Sequence, residues 1–568
     1  MNDRVMSSSV MRSSVMRSSV MRSRVLGGSV LGALLASVLT FACATGGGEK
    51  VRSMSDLAKE QETAKAAKVT EAEQAAAAAK AAAIPPIDPM LAGEALIQAQ
   101  PQLAPLADFA APVPHSVTLP SGLTILVVEK AGAPVEALSY VVRRGSTADP
   151  EGLAGLASLS AAMLEAGSAG QSQAQMAARA DALGATLRTG AGTDSTQVAI
   201  TAVPSKFAQL VPLLADVVLK PNLEEAEWTR LQGQRVAELQ ANLAEPRVQA
   251  ALGFMSALYG AGPLGQPALG TPESVQKARL ADVRKFLAGF DPREAAILAV
   301  GPISAAEVAA LVGKAFASLD PKPGKQGVKA GAKAAPKPAP APTPIAAPFG
   351  RPTGIMTAWV SPRLLVVDFP GRPQTVVRVG QIGVPRSSPD TLALRVLNSV
   401  LGGSFTSRLN QNLRETNGYT YGIGSAFAFG RLAGPFGAQS SVKTEVTGLA
   451  LVEVLKEISR AVDEPLAPEE LEKGKALLAY ELVETLQRSE ATAAAVAGLF
   501  IDGLPMDDLQ TLVPRLRALT VGDVQAAAKR ALQPGKMTIV LAGDWKVVGP
   551  QLKAVGLGLP EPLLREVK

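Results

Sequence analysis

Residues 135–145, VEALSYVVRRG, alternate apolar and polar positions as a half-buried strand does, and the pattern stops at a turn. Helical spacing takes over in GLAGLASLSAAMLEAGS, residues 152–168, opened by an acid next to Pro150. The same succession returns at residues 375–397, TVVRVGQIGVPRSSPDTLALRVL. Two further pairs keep the offset of about 240 residues. The acid-capped helices LKPNLEEAEWTRLQGQRVAEL and DEPLAPEELEKGKALLAYEL form one. A helix, a tight turn and a buried strand ending in Gly301 or Gly543 form the other. The pattern predicts two tandem homologous α+β halves, residues 112–320 and 356–548, each an antiparallel-rich sheet with helices on one face.

The remaining segments do not read as core. Residues 321–355 open on PKPGKQGVKAGAKAAPKPAPAPTP, a Pro/Ala/Lys linker. Residues 44–111 hold an Ala-rich helical spacer, 55–83, that stops at Pro85-Pro86 and carries too few large apolar residues to bury a face. Residues 549–568 read as a tail. Residues 1–43 read as a leader: a low-complexity repeat on Met6, Met11 and Met16, then Arg22 and Arg24, then an apolar run from Val25 to Ala42. The run is long enough for an uncleaved anchor. Thr40-Phe41-Ala42-Cys43 resembles a bacterial lipoprotein box, although Leu39 lies one position too early. That points to lipidation of Cys43 at the outer membrane, facing the periplasm. An ordinary signal peptide with an incidental cysteine is the other reading.

Charge changes the picture once it is located. The chain of 568 residues carries a net charge of +6. Five Arg against one Asp in residues 1–42, and five Lys with no acid in residues 321–350, hold more than this excess. The folded part is therefore not basic, and the electrostatic case for nucleic acid falls away. One histidine, His115, and one cysteine, Cys43, leave almost no ligands for a transition metal. His115 precedes a predicted first strand and suits a structural or solvent-exposed role.

The combination VVDFPGRPQTVVRVGQIGVPRSSPD and LNSVLGGSFTSRLNQNLRETNGYTYG, set in a duplicated chain, resembles the pitrilysin/insulinase family of zinc peptidases. The resemblance runs from His115 to Trp545. It implies two α+β units forming half a clam-shell, two of which enclose a peptide chamber. Active members carry H-x-x-E-H on a helix, where positions i and i+4 share a face and hold one Zn²⁺. In GLAGLASL the two histidine positions fall on Gly155 and Leu159, the catalytic glutamate on Ser158, and the third ligand position on Glu238. The zinc site is degenerate, and no metal is expected on this chain. Glu238 reads as a remnant or surface acid.

The resemblance gives Arg414 and Tyr421 a different standing. In active relatives the matching pair binds the substrate backbone and stabilises a developing oxyanion, work suited to guanidinium and phenol donors. Without the family, Arg414 capping a helix or pairing with Glu415, and Tyr421 packing beside Tyr419, would be preferred. Gly402, Gly403 and Ser404, with Arg408, form either a flexible substrate loop or a helix end. Family members that divide the task imply a partner: a zinc-bearing paralogue would supply H-x-x-E-H, and this chain would supply Arg414 and Tyr421 in trans. A non-enzymatic peptide-binding or scaffold lipoprotein is the competing class. An independently active zinc enzyme using other ligands fits the sequence poorly.

Overall fold

The structure is a computed structural model that describes residues 109–321, 364–556 and 563–566. The leader with Cys43, the spacer and the Pro/Ala/Lys linker lie outside the described residues. Two six-stranded sheets organise the rest. The first contains β1 (His115–Thr118), β2 (Thr124–Glu129), β3 (Glu136–Val142), β4 (Thr186–Ala191), β5 (Thr196–Ala202) and β6 (Ala295–Gly301). The second contains β7 (Leu364–Asp368), β8 (Gln374–Ile382), β9 (Thr420–Phe427), β10 (Pro435–Lys443), β11 (Thr538–Gly543) and β12 (Leu563–Glu566).

The strand orders are β4-β5-β3-β6-β2-β1 and β9-β10-β8-β11-β7-β12. The inner pairs correspond throughout. Each sheet has a parallel pair in the same place, β2 with β6 and β7 with β11, among mostly antiparallel neighbours. Only the last strand differs. In the first sheet it is the preceding β1, antiparallel to β2; in the second it is the following β12, parallel to β7. The stretch beyond residue 548 thus finishes a helix, Trp545–Ala554, and adds an edge strand. The mixed α+β class expected from the pattern holds.

The helices that matter to the site are α1 (Leu156–Glu165), α2 (Phe207–Leu219), α3 (Glu225–Leu243) and α4 (Pro246–Tyr259) in the first half. Their counterparts are α5 (Thr391–Leu401), α6 (Thr447–Asp463), α7 (Pro468–Gln487) and α8 (Ser489–Asp502). Helices of each half cover one face of their own sheet. The opposite face receives a helix from the other half, which the sequence pattern does not disclose. Ala250, Phe254 and Leu258 of α4 pack on Val367, Val376, Val540 and Ala542 of the second sheet. Ala493, Val496, Ala497 and Phe500 of α8 pack on Leu126, Val141, Leu298 and Val300 of the first. This exchange explains why β3, β6 and β11 are buried at every position. A strand covered on both faces cannot alternate.

Polar contacts lock the exchange. The Arg143 guanidinium donates to the Phe500 carbonyl near the end of α8, through Nε at 2.9 Å and through Nη2. It also lies over the Phe500 ring, 4.1 Å from its centroid. Lys130 Nζ donates to the Leu486 and Gln487 carbonyls at the end of α7, at 2.7 and 2.5 Å. Both cations of the first half face carbonyl ends of second-half helices, where the helix dipole is negative. In return Tyr259 of α4 donates to the Ala433 carbonyl at 2.8 Å. Ala111 is buried in the core of the second half and Phe109 packs against it, so the last residues of the segment read as linker belong to that core.

Candidate functional site

Helix α1 stands where the family places its metal ligands, and each position is filled for another purpose. Gly155 is the N-cap, in the left-handed region at φ 91°. A Cβ there would meet the Leu269 carbonyl oxygen at 2.6 Å and the Gly270 Cα at 2.8 Å, so no imidazole fits. Asp149 closes this end of the helix: its carboxylate accepts from the Gly155 and Ala157 N–H groups, both at 2.8 Å. Burial pushes the Asp149 carboxyl up to about 6, against the pull of those N–H donors and of Arg144. Leu159, 1% exposed, is core, packed with Met163, Trp228 and Phe286.

The other two positions are bridged by a residue that the sequence does not single out. From α3, Arg235 donates through Nη1 to Ser158 Oγ at 2.9 Å and pairs through Nε with Glu238 at 3.2 Å. A fixed guanidinium lies between the position of the missing catalytic glutamate and that of the third ligand. Zinc does not fit this donor set. Gly155 and Leu159 offer no ligand atom, and the one carboxylate already has a cation. Among the described residues no group of three or more His, Cys, Asp or Glu could hold a metal ion. His115 is exposed at the start of β1. Arg235 could have been suspected from QRVAEL, where it precedes Glu238 by one helical turn.

The segment bearing Arg414 and Tyr421 is fixed from beneath and open above. After Arg408–Asn410 the helix widens into a π-helix over Gln411–Thr416, a form that recurs at functional sites. Leu409 and Leu413 anchor it in the core. Three amides hold its backbone. Asn410 donates to the Ser404 carbonyl and accepts from Ile423 N–H, at 3.2 and 2.9 Å. Asn412 donates to Glu453 and Glu457 at 2.7 and 2.8 Å, and Asn417 donates back to Asn412. Arg414 pairs with Glu415 at 3.2 Å, and its guanidinium lies 4.3 Å from the centre of the Phe405 ring. Phe405 is itself 66% exposed.

Tyr421 does not pack beside Tyr419; it is 91% exposed. Register gives the reason. Thr420 pairs with Val442 and Ile423 with Ser440, so Tyr421 and Gly422 together oppose Ser441. This β-bulge breaks the alternation of β9 and turns the phenol outward. Strand β9 is an edge strand of the second sheet.

The glycine-rich turn is a helix end rather than a free loop. Gly402 is the C-cap of α5, and its carbonyl accepts from Ser425 N–H at 3.1 Å. A Cβ at Gly402 would meet Ser425 N at 2.6 Å, and one at Gly403 the Asn398 carbonyl at 2.9 Å. The Ser404 carbonyl accepts from Ser407 N–H and from Asn410. Arg408 is committed to Glu470 of α7, through Nε at 2.7 Å and Nη2 at 2.5 Å. That pairing holds the Glu470 carboxyl below its ordinary value. Among the described residues no hydrogen bond, ion pair or ring contact links Arg414 or Tyr421 with Gly155, Ser158, Leu159 or Glu238.

Comparison with known proteins agrees with this layout. Residues 124–272 match the family model of insulinase, peptidase family M16, and residues 277–478 match that of the M16 inactive domain. The chain belongs to the M16 (insulinase) peptidase family. An uncharacterised zinc protease of Mycobacterium bovis is 26% identical over 335 residues, 57% of this chain and 69% of the relative. A non-peptidase homologue of Helicobacter pylori is 20% identical, over 77% of this chain and 95% of its own. The solved M16 inactive domain from Pseudomonas fluorescens superposes with a TM-score of 0.64 at 26% identity, covering 76% of this chain and 98% of that one. The chain is thus an insulinase-family member that lacks the zinc site.

Proposed function

We propose that this chain is the substrate-binding half of a split M16 peptidase, gripping an extended peptide while a zinc-bearing paralogue performs hydrolysis. The observation that carries this reading is the presentation of Arg414 and Tyr421. A phenol 91% exposed on a bulged edge strand gains nothing from the core, yet three buried or half-buried amides fix the backbone around it. Such rigidity with an exposed donor suits binding more than folding. Arg414 and Tyr421 donate to a carbonyl oxygen of the peptide, and to the charge it gains when attacked in the assembled pair. Zinc belongs to the partner, because the guanidinium of Arg235 occupies this chain's own site.

In the cell, the pair would sit in the envelope, held to the outer membrane through a lipid on Cys43. Among the described residues no helix is long and apolar enough to cross a membrane. Radiolabelled palmitate should enter the wild-type chain and not Cys43→Ser; equal labelling of both would remove the anchor.

The purified chain alone should cleave no peptide, and should gain activity when mixed with an H-x-x-E-H paralogue encoded beside it. A second reading, a non-enzymatic peptide binder or scaffold, draws on the similarity to the non-peptidase homologue of Helicobacter pylori. Peptide binding with no rate gain from any such paralogue would favour it. Stoichiometric zinc in the purified chain would contradict both.

A further inference from the structure

Behind the Tyr421 bulge lies a pocket of about 250 Å³, walled by Arg247 from the start of α4 and by Arg378 from β8. Val376, Gly422, Gln439, Ser440 and Ser441 also line it. Among the described residues no carboxylate lines it. Arg378 is half-buried in the sheet, makes no ion pair with any described residue, and its Nε is shut off from solvent without a hydrogen-bond acceptor. Burial alone lowers its pKa; no neighbouring acid offsets it. Among the described residues Arg247 has one side-chain hydrogen bond, from Nε to Ser441 Oγ at 3.3 Å. A buried donor without an acceptor, on a charged group, costs free energy that an anion would recover.

Register ties the pocket to the peptide surface. Arg378 faces Gln439 across the β8–β10 ladder, and Val376 faces Ser441. Ser441 is the residue opposed by both Tyr421 and Gly422. Gly422 borders the pocket on the bulge side. The hydroxyl of Ser440 already bonds Thr420 Oγ1 at 2.8 Å and the Gly422 carbonyl at 2.9 Å, so the charged donors at the pocket are the two guanidinium groups, with the Gln439 amide beside them.

We propose that Arg247 and Arg378 bind a carboxylate of the peptide held at Tyr421, so that this chain selects acidic or carboxy-terminal peptide segments. Two guanidinium forks around one small pocket match the planar, bidentate geometry of a carboxylate. The inference rests on the peptide-binding reading above, and its test separates the two.

Fluorescence anisotropy would compare three fluorescein-labelled peptides of one Gly/Ala/Ser sequence: with a free C-terminus, with a C-terminal amide, and amidated with one internal Glu. Wild type should bind at least one carboxylate-bearing peptide about tenfold more tightly than the plain amide. Which of them gains identifies the source of the carboxylate. Arg378→Met, which keeps an apolar stem, should abolish the gain. The exposed Arg247→Met serves equally should Arg378→Met fail to fold. Tyr421→Ala should weaken all three peptides alike. Equal affinity of wild type for the three, or a gain that survives both arginine variants, would overturn the proposal and leave peptide binding intact. Should no peptide bind, a melting temperature raised by succinate but not by succinamide, and lost in Arg378→Met, supports the pocket while the peptide reading fails. The absence of that shift overturns the pocket too.

Discussion

Residues at the two sites differ in what they owe to folding, and substitutions should separate them. Tyr421 is solvated, so Tyr421→Ala should leave the melting temperature within about 1 °C of wild type while peptide affinity falls. Leu159 is core: Leu159→His places an imidazole among Met163, Trp228 and Phe286 and should cost about 2–5 kcal/mol in urea titrations without creating a zinc site. Zinc bound by that variant, at wild-type stability, would contradict the packing described. Glu136 gives a pH signature. Burial, then the nearby Glu307, raises its carboxyl to about 7 from an ordinary 4.5. The folded chain therefore holds this proton more firmly than the unfolded one, and the group's contribution to stability falls as pH rises from about 4.5 to 7. Glu136→Gln should melt close to wild type at pH 4.5 and above it at pH 8; an advantage that shrinks with rising pH would refute the assignment.

Elements carry the site's precision. The π-helix over Gln411–Thr416 places Arg414 against Phe405 and depends on Asn410 and Asn412, whose amides are committed to the Ser404 carbonyl and to Glu453 and Glu457. Asn412→Ala leaves Glu453 and Glu457 without that donor and should lower peptide affinity several-fold, measurable by anisotropy, with about 1–3 kcal/mol of stability lost. Much of this segment was legible in LRETNGYTY. The widening of the helix was not, because RLNQNLRET has nothing against a regular α-helix, and the π turn is selected by amide bonds to residues distant in sequence. Arg408 shows the same limit: in sequence it groups with a candidate substrate loop, yet Glu470 lies 62 residues away and claims it. The glycines of the turn were legible as either loop or helix end, and the close approach of Ser425 decides for the helix end.

At the scale of the molecule, the duplication was readable from pattern alone, since both sheets keep the same inner strand order. The exchange of α4 and α8 was not, because amphipathic spacing shows that a helix has an apolar face but not which sheet receives it. Its trace lay in strands apolar at every position, AAILAVG above all. Each half covers the other's core, so the halves should unfold together. Phe254→Ala, in α4, should cost about 3–5 kcal/mol and lower one shared transition monitored by circular dichroism and intrinsic fluorescence. Two separated transitions, only one of them shifted, would contradict the exchange. Among the described residues no hydrogen bond, ion pair or ring contact links Arg414 or Tyr421 with helix α1, and in the proposed function another chain completes the site. The most direct test of that proposal is the rate of peptide hydrolysis by the chain reconstituted with an H-x-x-E-H paralogue, wild type against Arg414→Ala. Arg414→Ala should leave the zinc content unchanged and lower kcat/KM at least about 100-fold, the usual scale for losing an oxyanion donor; full activity in Arg414→Ala would contradict catalysis completed in trans.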